Sequence, residues 1–426
     1  MASAGLISSQ ETARGRRLAA YAAFGLPLTM TALPINILLP DFYAGETGLA
    51  LTTIGFVLLA TRLIDAVSDP LLGTWVDRQK ARNSYLTPIL FACVPLVAGF
   101  VLLFNPTTVA RAMPAAWLAA TLVAAYLGYS LAIVAYQAWG AELAHDDAGR
   151  ARVAASREGA GLIGVLLGGS VPALAGMPVL TAMFLLLLAI GLVLLVRHAP
   201  RPAPINRSTP AGNPFVTFLV PLATPRLRWL LAVFALNAIA PAITATVFQF
   251  FVADRLGLGS AAGVFLALYF IAGAASMPFW THLAGRLSLH VVWLIGMLTA
   301  VVSFAWAYGL GHGAYGAFAA ICVLSGFAFG ADLALPPALL ARVIDANRHQ
   351  GQREGAYFGL WNCVNKFCLA LAAGAALPLL ESLGYARGAT NAGALDALAI
   401  VYAVVPCLLK LAAAALLFVA WRDAKF

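Results

Sequence analysis

The chain has 426 residues, of which 62% are hydrophobic and only 10% charged, and its mean hydropathy is +0.89. That is more apolar surface than one water-soluble core can hide, so a soluble globular domain is excluded and lipid must form part of the solvent. The net charge of +9 would suit a nucleic-acid partner, but the bases collect at alternate ends of apolar runs, which excludes that class and makes the charge topological.

A helix needs about 20 apolar residues to cross the hydrocarbon core, and twelve runs of that order follow one another. They are Leu18 to Phe42, Thr53 to Val76, Tyr85 to Phe104, Ala115 to Leu143, Gly159 to Ala175, Pro178 to Val196, Trp229 to Ala253, Ala261 to Leu283, Val291 to Leu310, Ala314 to Leu340, Gly355 to Leu380 and Ala397 to Ala420. The first has an Arg-rich approach like a signal peptide, but it is too long for an h-region and no small-residue cleavage site follows, so it is expected to stay in the mature protein. With the N-terminus inside, twenty Lys and Arg fall on the cytoplasmic side, and Arg111, Arg255 and Arg387 on the other. The positive-inside rule therefore puts both termini in the cytoplasm of a multi-pass inner or plasma membrane protein. Cys93, Cys322, Cys363, Cys368 and Cys407 all lie inside spans, without disulfide or metal-ligand spacing, and read as small packing residues.

The long break in this pattern, 197–228, is rich in Pro and Arg and reads as a cytoplasmic linker between halves 1–196 and 229–426. At an offset of 208 residues Phe42, Glu46, Gly55, Pro70 and Arg78 match Phe250, Asp254, Gly263, Pro278 and Arg286. Farther on the offset is 196, and Arg157-Glu158-Gly159-Ala160 reappears as Arg353-Glu354-Gly355-Ala356. Six helices per half give both copies the same polarity. The expected fold class is an all-α membrane protein with twelve transmembrane helices arranged as two parallel six-helix repeats, as in major-facilitator transporters.

An ionised side chain near mid-bilayer costs about 2.5–3.5 kcal/mol on insertion scales, so intramembrane charges are the informative residues. The second span holds Arg62, Asp65, Ser68 and Asp69 before Pro70. Asp65 and Asp69, spaced i, i+4, share one helix face. Two such carboxylates offer either a hard-oxygen site for Na⁺ or a site that carries H⁺, and both uses are cation coupling. The bland alternative is a structural Arg62–Asp65 pair, but the equivalent positions of the second repeat, Gly273 and Met277, are uncharged. Lys366 in the eleventh span, after Trp361, Asn362 and Asn365, has Ser170 as its counterpart and is expected to pair with the helix-two acids. Asp332 reads as pathway lining or as a paired acid near a helix end, and Lys410 as peripheral. Further polar lining candidates are Thr29, Thr31, Asn36, Tyr129, Tyr136, Gln137, Asn237, Thr244, Gln249 and Ser325. Between the second and third spans, Gly73 to Arg82 reads as a loop. There Gly73 permits close approach, and Asp77, Arg78 and Arg82 form a cytoplasmic gate with Arg157, Glu158, Arg353 and Glu354 as facing partners.

Gly73 to Arg82 resembles the loop-two-three motif of the major facilitator superfamily. Arg62…Asp65…Asp69-Pro70…Gly73…Asp77-Arg78, together with Gly351-Gln352-Arg353-Glu354-Gly355-Ala356-Tyr357-Phe358…Lys366, resembles the glycoside-pentoside-hexuronide cation symporters, the melibiose permease family. The resemblance covers nearly the whole chain. It implies that Asp65 and Asp69 bind the coupling cation with Lys366 close by, and that Arg157 and Trp139 belong to the substrate region. Sugar-transporting members carry acids on helices one and four. Here the first span has none, and the matching helix-four position is Ala135, beside Tyr136, Gln137 and Trp139.

Three functions compete. The first is a cation-coupled symporter, driven by Na⁺ or H⁺, of a small sugar-like solute. The second is a translocator of lipid or lysolipid amphiphiles, since the family also resembles eukaryotic lysolipid carriers and few charges face many Phe, Leu and Ala. The third, a membrane-embedded enzyme, lacks a nucleophile–base pair or metal cluster at mid-depth. No cofactor beyond the coupling ion is expected. The expected partners are a small-molecule or amphiphilic substrate and the lipid bilayer, around a monomer.

Overall fold

The computed structural model describes residues 15–49, 51–82, 84–107, 110, 112–201, 219–385, 388 and 390–422. Most of the linker, 202–218 with Arg207, lies outside these, as do Arg14, Arg111, Arg387 and Lys425 and the side chains of Asn36 and Arg82.

Helical segments stand at each of the twelve expected places. They are α1 (15–47), α2 (Leu51–Arg82), α3 (Leu86–Phe104), α4 (Pro114–Ala141), α5 (Asp147–Ala175), α6 (Met177–His198), α7 (Pro225–Arg255), α8 (Gly259–Ala284), α9 (Leu289–Gly309), α10 (Tyr315–Ala346), α11 (Glu354–Ser382) and α12 (Ala392–Arg422). Among the described residues there is no strand, and nine of these helices are long and apolar enough to cross a membrane. The other three are α1, which is interrupted, and α2 and α5, which carry charged side chains.

Local chemistry explains the interruptions. Pro34 has no N–H to give, and α1 widens there into a π-turn over Pro34–Leu38. It ends at Gly48, whose φ of +68° is the left-handed region where a side chain is disfavoured. Comparable π-turns occupy Phe251–Arg255 in α7 and Ile400–Val404 in α12.

α2 corrects the sequence reading of a loop from Gly73: the helix continues to Arg82. Once the helix passes its apolar stretch, charged residues no longer oppose helix formation, and Arg and Lys in a last turn complement the helix dipole. α5 and α10 likewise extend past the expected spans, to Asp147 and Ala346.

The chain forms two compact units. The first comprises residues 1–145, 156–219 and 348–360, and the second 146–155, 220–347 and 361–426. In the first unit α3 and α4 meet where both are small, and a Cβ on Gly99 or Gly128 would overlap the main chain of the other helix. The second unit has an aromatic core in which Phe251 and Tyr402 stack at 3.9 Å, with Phe265 and Phe318 beside them.

Candidate functional site: two buried polar centres

α2 has two sharply different faces. Phe56, Leu59, Leu63 and Val67 are exposed, as suits lipid. Thr61, Asp65, Asp69, Gly73 and Asp77 are buried at intervals of four residues. A spacing of four on a 3.6-residue helix keeps them in one slowly winding row. The sequence-predicted acids therefore both point into the first unit, and Asp69 is fully buried.

Asp65 Oδ1 accepts a 2.6 Å hydrogen bond from Ser130 Oγ on α4. The Ser68 hydroxyl donates to the Asp65 main-chain carbonyl at 2.8 Å. Tyr129, next to Ser130, is within electrostatic reach of Glu158, Asp65, Asp69 and Arg157. Sequence reasoning missed Ser130 because a membrane serine ordinarily bonds within its own helix. The one available signal was an acid pair in need of a donor.

Toward its C-terminal end the same row meets the start of α11. Asp77 Oδ1 accepts from Gly355 N at 2.7 Å and Oδ2 from Ala356 N at 2.9 Å. An anion thus caps two of the open amides at a helix N-terminus. The helices touch through glycine: a Cβ on Gly73 would overlap the Gly355 carbonyl, and one on Gly359 the Asp69 carbonyl. Lys80 pairs with Glu142, lies 4.0 Å from Glu354, and has the Tyr85 ring 5.0 Å away. Gly73 and Asp77 thus meet the start of α11. Arg78 and Arg353 are half-buried. Just before α11, His349 Nδ1 lies 2.9 Å from the Tyr357 hydroxyl, and burial together with Arg353 holds its imidazole below the usual value.

Other expected lining residues have the following partners. Tyr136 is fully buried; its hydroxyl donates to the Tyr21 carbonyl at 2.8 Å and the Tyr21 hydroxyl returns the bond to the Tyr136 carbonyl at 2.8 Å. Tyr136 therefore clamps α1 to α4. Trp139 Nε1 donates to the Pro200 carbonyl at 2.9 Å, which ties α4 to the chain after α6. Arg157 is buried and pairs with Glu158 at 2.6 Å, so its guanidinium is held by the next residue on its own helix. Gln137 is buried.

The second unit holds a polar centre of another kind. Asp332 Oδ1 accepts from Trp293 Nε1 at 2.9 Å and from Asn237 Nδ2 at 3.1 Å, while its Oδ2 is 2.5 Å from Lys410 Nζ. Lys410 also donates to Asn237 Oδ1 at 2.9 Å. This corrects the peripheral reading of Lys410, which is only 8% exposed. Hydropathy fixes depth along a span, but not which way a side chain points around it. Asp332, Asn237 and Lys410 line a cavity of about 450 Å³. Asn365 lies on its wall, and Trp361 stacks on Phe234 with ring centroids 3.6 Å apart. Asn362 and Lys366 are half-buried on the part of α11 that belongs to the second unit.

Helices of membrane length with buried acids and bases make this a multi-pass membrane protein, and its likeness to a solved major facilitator superfamily transporter, with TM-score 0.66 at 16% identity, covering 94% of this chain and 98% of that one, gives it the major facilitator fold. Residues 19–420 match the family described as MFS/sugar transport protein, and the chain belongs to that family of transporters. It is 33% identical over 86 residues to the uncharacterised symporter YnaJ of Bacillus subtilis, a match covering 20% of this chain and 19% of that one. It is 38% identical over 68 residues to the putative glycoside/cation symporter YagG of Escherichia coli, covering 16% of this chain and 15% of that one. The matched stretches thus span less than a fifth of either relative's length. Among solved structures, a bacterial homologue of the iron transporter ferroportin in an outward-facing state superposes with TM-score 0.71 at 16% identity, covering 96% of this chain and 99% of that one.

Proposed function

We propose that this transporter is a symporter that couples the entry of a small neutral solute of glycoside type to Na⁺ or H⁺, by alternating access. The observation that carries the reading is the pair of buried carboxylates one turn apart on α2, with the Ser130 hydroxyl on Asp65. Carboxylates held out of water favour any process that brings them positive charge. A cation there is driven by the membrane potential, at about 2.3 kcal/mol per charge per 100 mV. The name of the glycoside/cation relative supports the solute class. Lys366 on α11 is the proposed counter-charge, and the Asp77 contact with α11 the proposed cytoplasmic gate. The distribution of Lys and Arg supports cytoplasmic termini.

The test is uptake of radiolabelled glycosides into proteoliposomes under an imposed Na⁺ or H⁺ gradient. Asp65→Asn and Asp69→Asn should each drop accumulation to the level of empty vesicles, while the protein still purifies folded. Full gradient-driven accumulation in both variants would sink the reading. A second reading, translocation of an amphiphile, is favoured by the aromatic cavity of the second unit. Lysolipid transfer that is insensitive to both gradients would select it.

A further inference from the structure

We infer that Glu354, the first residue of α11, is a proton-binding site separate from Asp65 and Asp69, and that releasing its proton loosens the contact of Asp77 with α11. The inference depends neither on the solute carried nor on which ion drives it.

The groups around Glu354 come from four elements, all within the first unit. α2 brings Asp77 and Lys80, the residue before α3 is Tyr85, the end of α4 brings Glu142, and the turn before α11 brings Arg353. Two of the acids are well served. Glu142 Oε1 accepts from both the Lys80 ammonium and the Tyr85 hydroxyl, and Asp77 accepts from the Gly355 and Ala356 amides. Glu354 is fully buried, and its Oε1 accepts from the Gly351 N–H while its Oε2 has no hydrogen-bond partner. Lys80 Nζ lies 4.0 Å from that oxygen, beyond hydrogen-bonding distance, and is engaged by Glu142. A helix N-terminus would favour a charged carboxylate, but Asp77 already takes the open amides of α11.

The charge count points the same way. Among the described residues three acids, Asp77, Glu142 and Glu354, stand against two bases, Lys80 and Arg353. His349 adds no charge near neutral pH, since burial and Arg353 hold its imidazole below the usual value. One negative charge is left over in a place closed to water. A buried carboxylate without a matching base takes up a proton instead. Of the three acids Glu354 has the fewest donors, and with Glu354 neutral the count is even. Breaking the contact would wet this carboxyl, which then ionises near its ordinary value of about 4.3. The form with the contact made thus binds one proton more than the form with it broken. Raising the pH through that interval favours breaking it, by as much as about 10-fold per pH unit.

The measurement is the hydrogen-exchange protection of the Gly355 and Ala356 amides, in the purified full chain in nanodiscs without solute or gradient. It runs from about pH 7, above the titration of His349, to about pH 9, below the ordinary values of Tyr and Lys. Protection, corrected for the intrinsic exchange rate, should fall with pH by as much as about 10-fold per unit. Glu354→Gln keeps an acceptor for Gly351 but has no proton to release, and should hold protection constant. Should that variant fail to fold, Glu142→Gln serves instead. It leaves two acids to two bases and frees Lys80 for Glu354, so its profile should also be flat. Glu46→Gln, an exposed acid at the end of α1, should keep the slope of the unmodified chain. A flat profile in the unmodified chain overturns the proposal, as does a slope retained in either cluster variant or lost in Glu46→Gln. Protection that rises with pH also overturns it, and would put the proton on Asp77.

Discussion

Asp65 and Asp332 are both acids sunk in helical bundles, yet their surroundings differ in kind. Asp332 meets a lysine at 2.5 Å and two neutral donors, so its charge is cancelled within the fold. Asp65 is met by a neutral hydroxyl and has a second acid, Asp69, one turn along the same face. A self-compensated centre persists without any added ion. Acids in adjacent turns gain from any positive charge brought to them.

The comparison is most exposed to a cycle at the compensated centre. Asp332→Leu alone strands Lys410 as a buried charge, and should cost about 3–5 kcal/mol in the unfolding of detergent-purified protein. Adding Lys410→Met should recover most of that. Equal losses in the single and double variants would mean that the pair does not hold the charge balance. A smaller effect sharpens the other side. Ser130→Ala removes a hydrogen bond to a carboxylate and should cost about 1.5–3 kcal/mol. Ser325→Ala, whose hydroxyl goes to the Ile321 carbonyl of its own helix, should stay within about 0.5 kcal/mol. Similar losses at the two serines would remove the special standing of Asp65.

The smallest effect concerns the approach to α11. Burial and Arg353 disfavour the charged His349 imidazole, so its folded pKa lies below its unfolded one. The stability tied to the neutral ring is therefore present above the unfolded value of about 6.5 and is lost as pH falls through the folded value. His349→Gln should flatten the acid side of a melting-temperature profile and leave the neutral side nearly unchanged. An identical profile would show that the ring is free to move out into water.

The twelve helices were legible because apolar runs of membrane length leave little choice of structure. The α2 acids were legible too, because a spacing of four fixes a shared face whatever the neighbours are. Lys410 and Ser130 were not. Both depend on the rotation of one helix against another, and neither hydropathy nor spacing within a single helix carries that angle. Tyr136 and Trp139 likewise have partners that the sequence did not show. A polar group on an aromatic ring looks available in sequence, whereas main-chain carbonyls of α1 and of the chain after α6 accept from both. The expected loop at Gly73 failed because charge density was taken as the end of a helix, when it marked only the end of its apolar part.

The contact of Asp77 with α11 has one further consequence. Its donors are two consecutive peptide N–H groups, those of Gly355 and Ala356, and glycines bring the two helices together beside them. The hydrogen-exchange rates of those two neighbouring backbone amides therefore report whether the Asp77 contact is made.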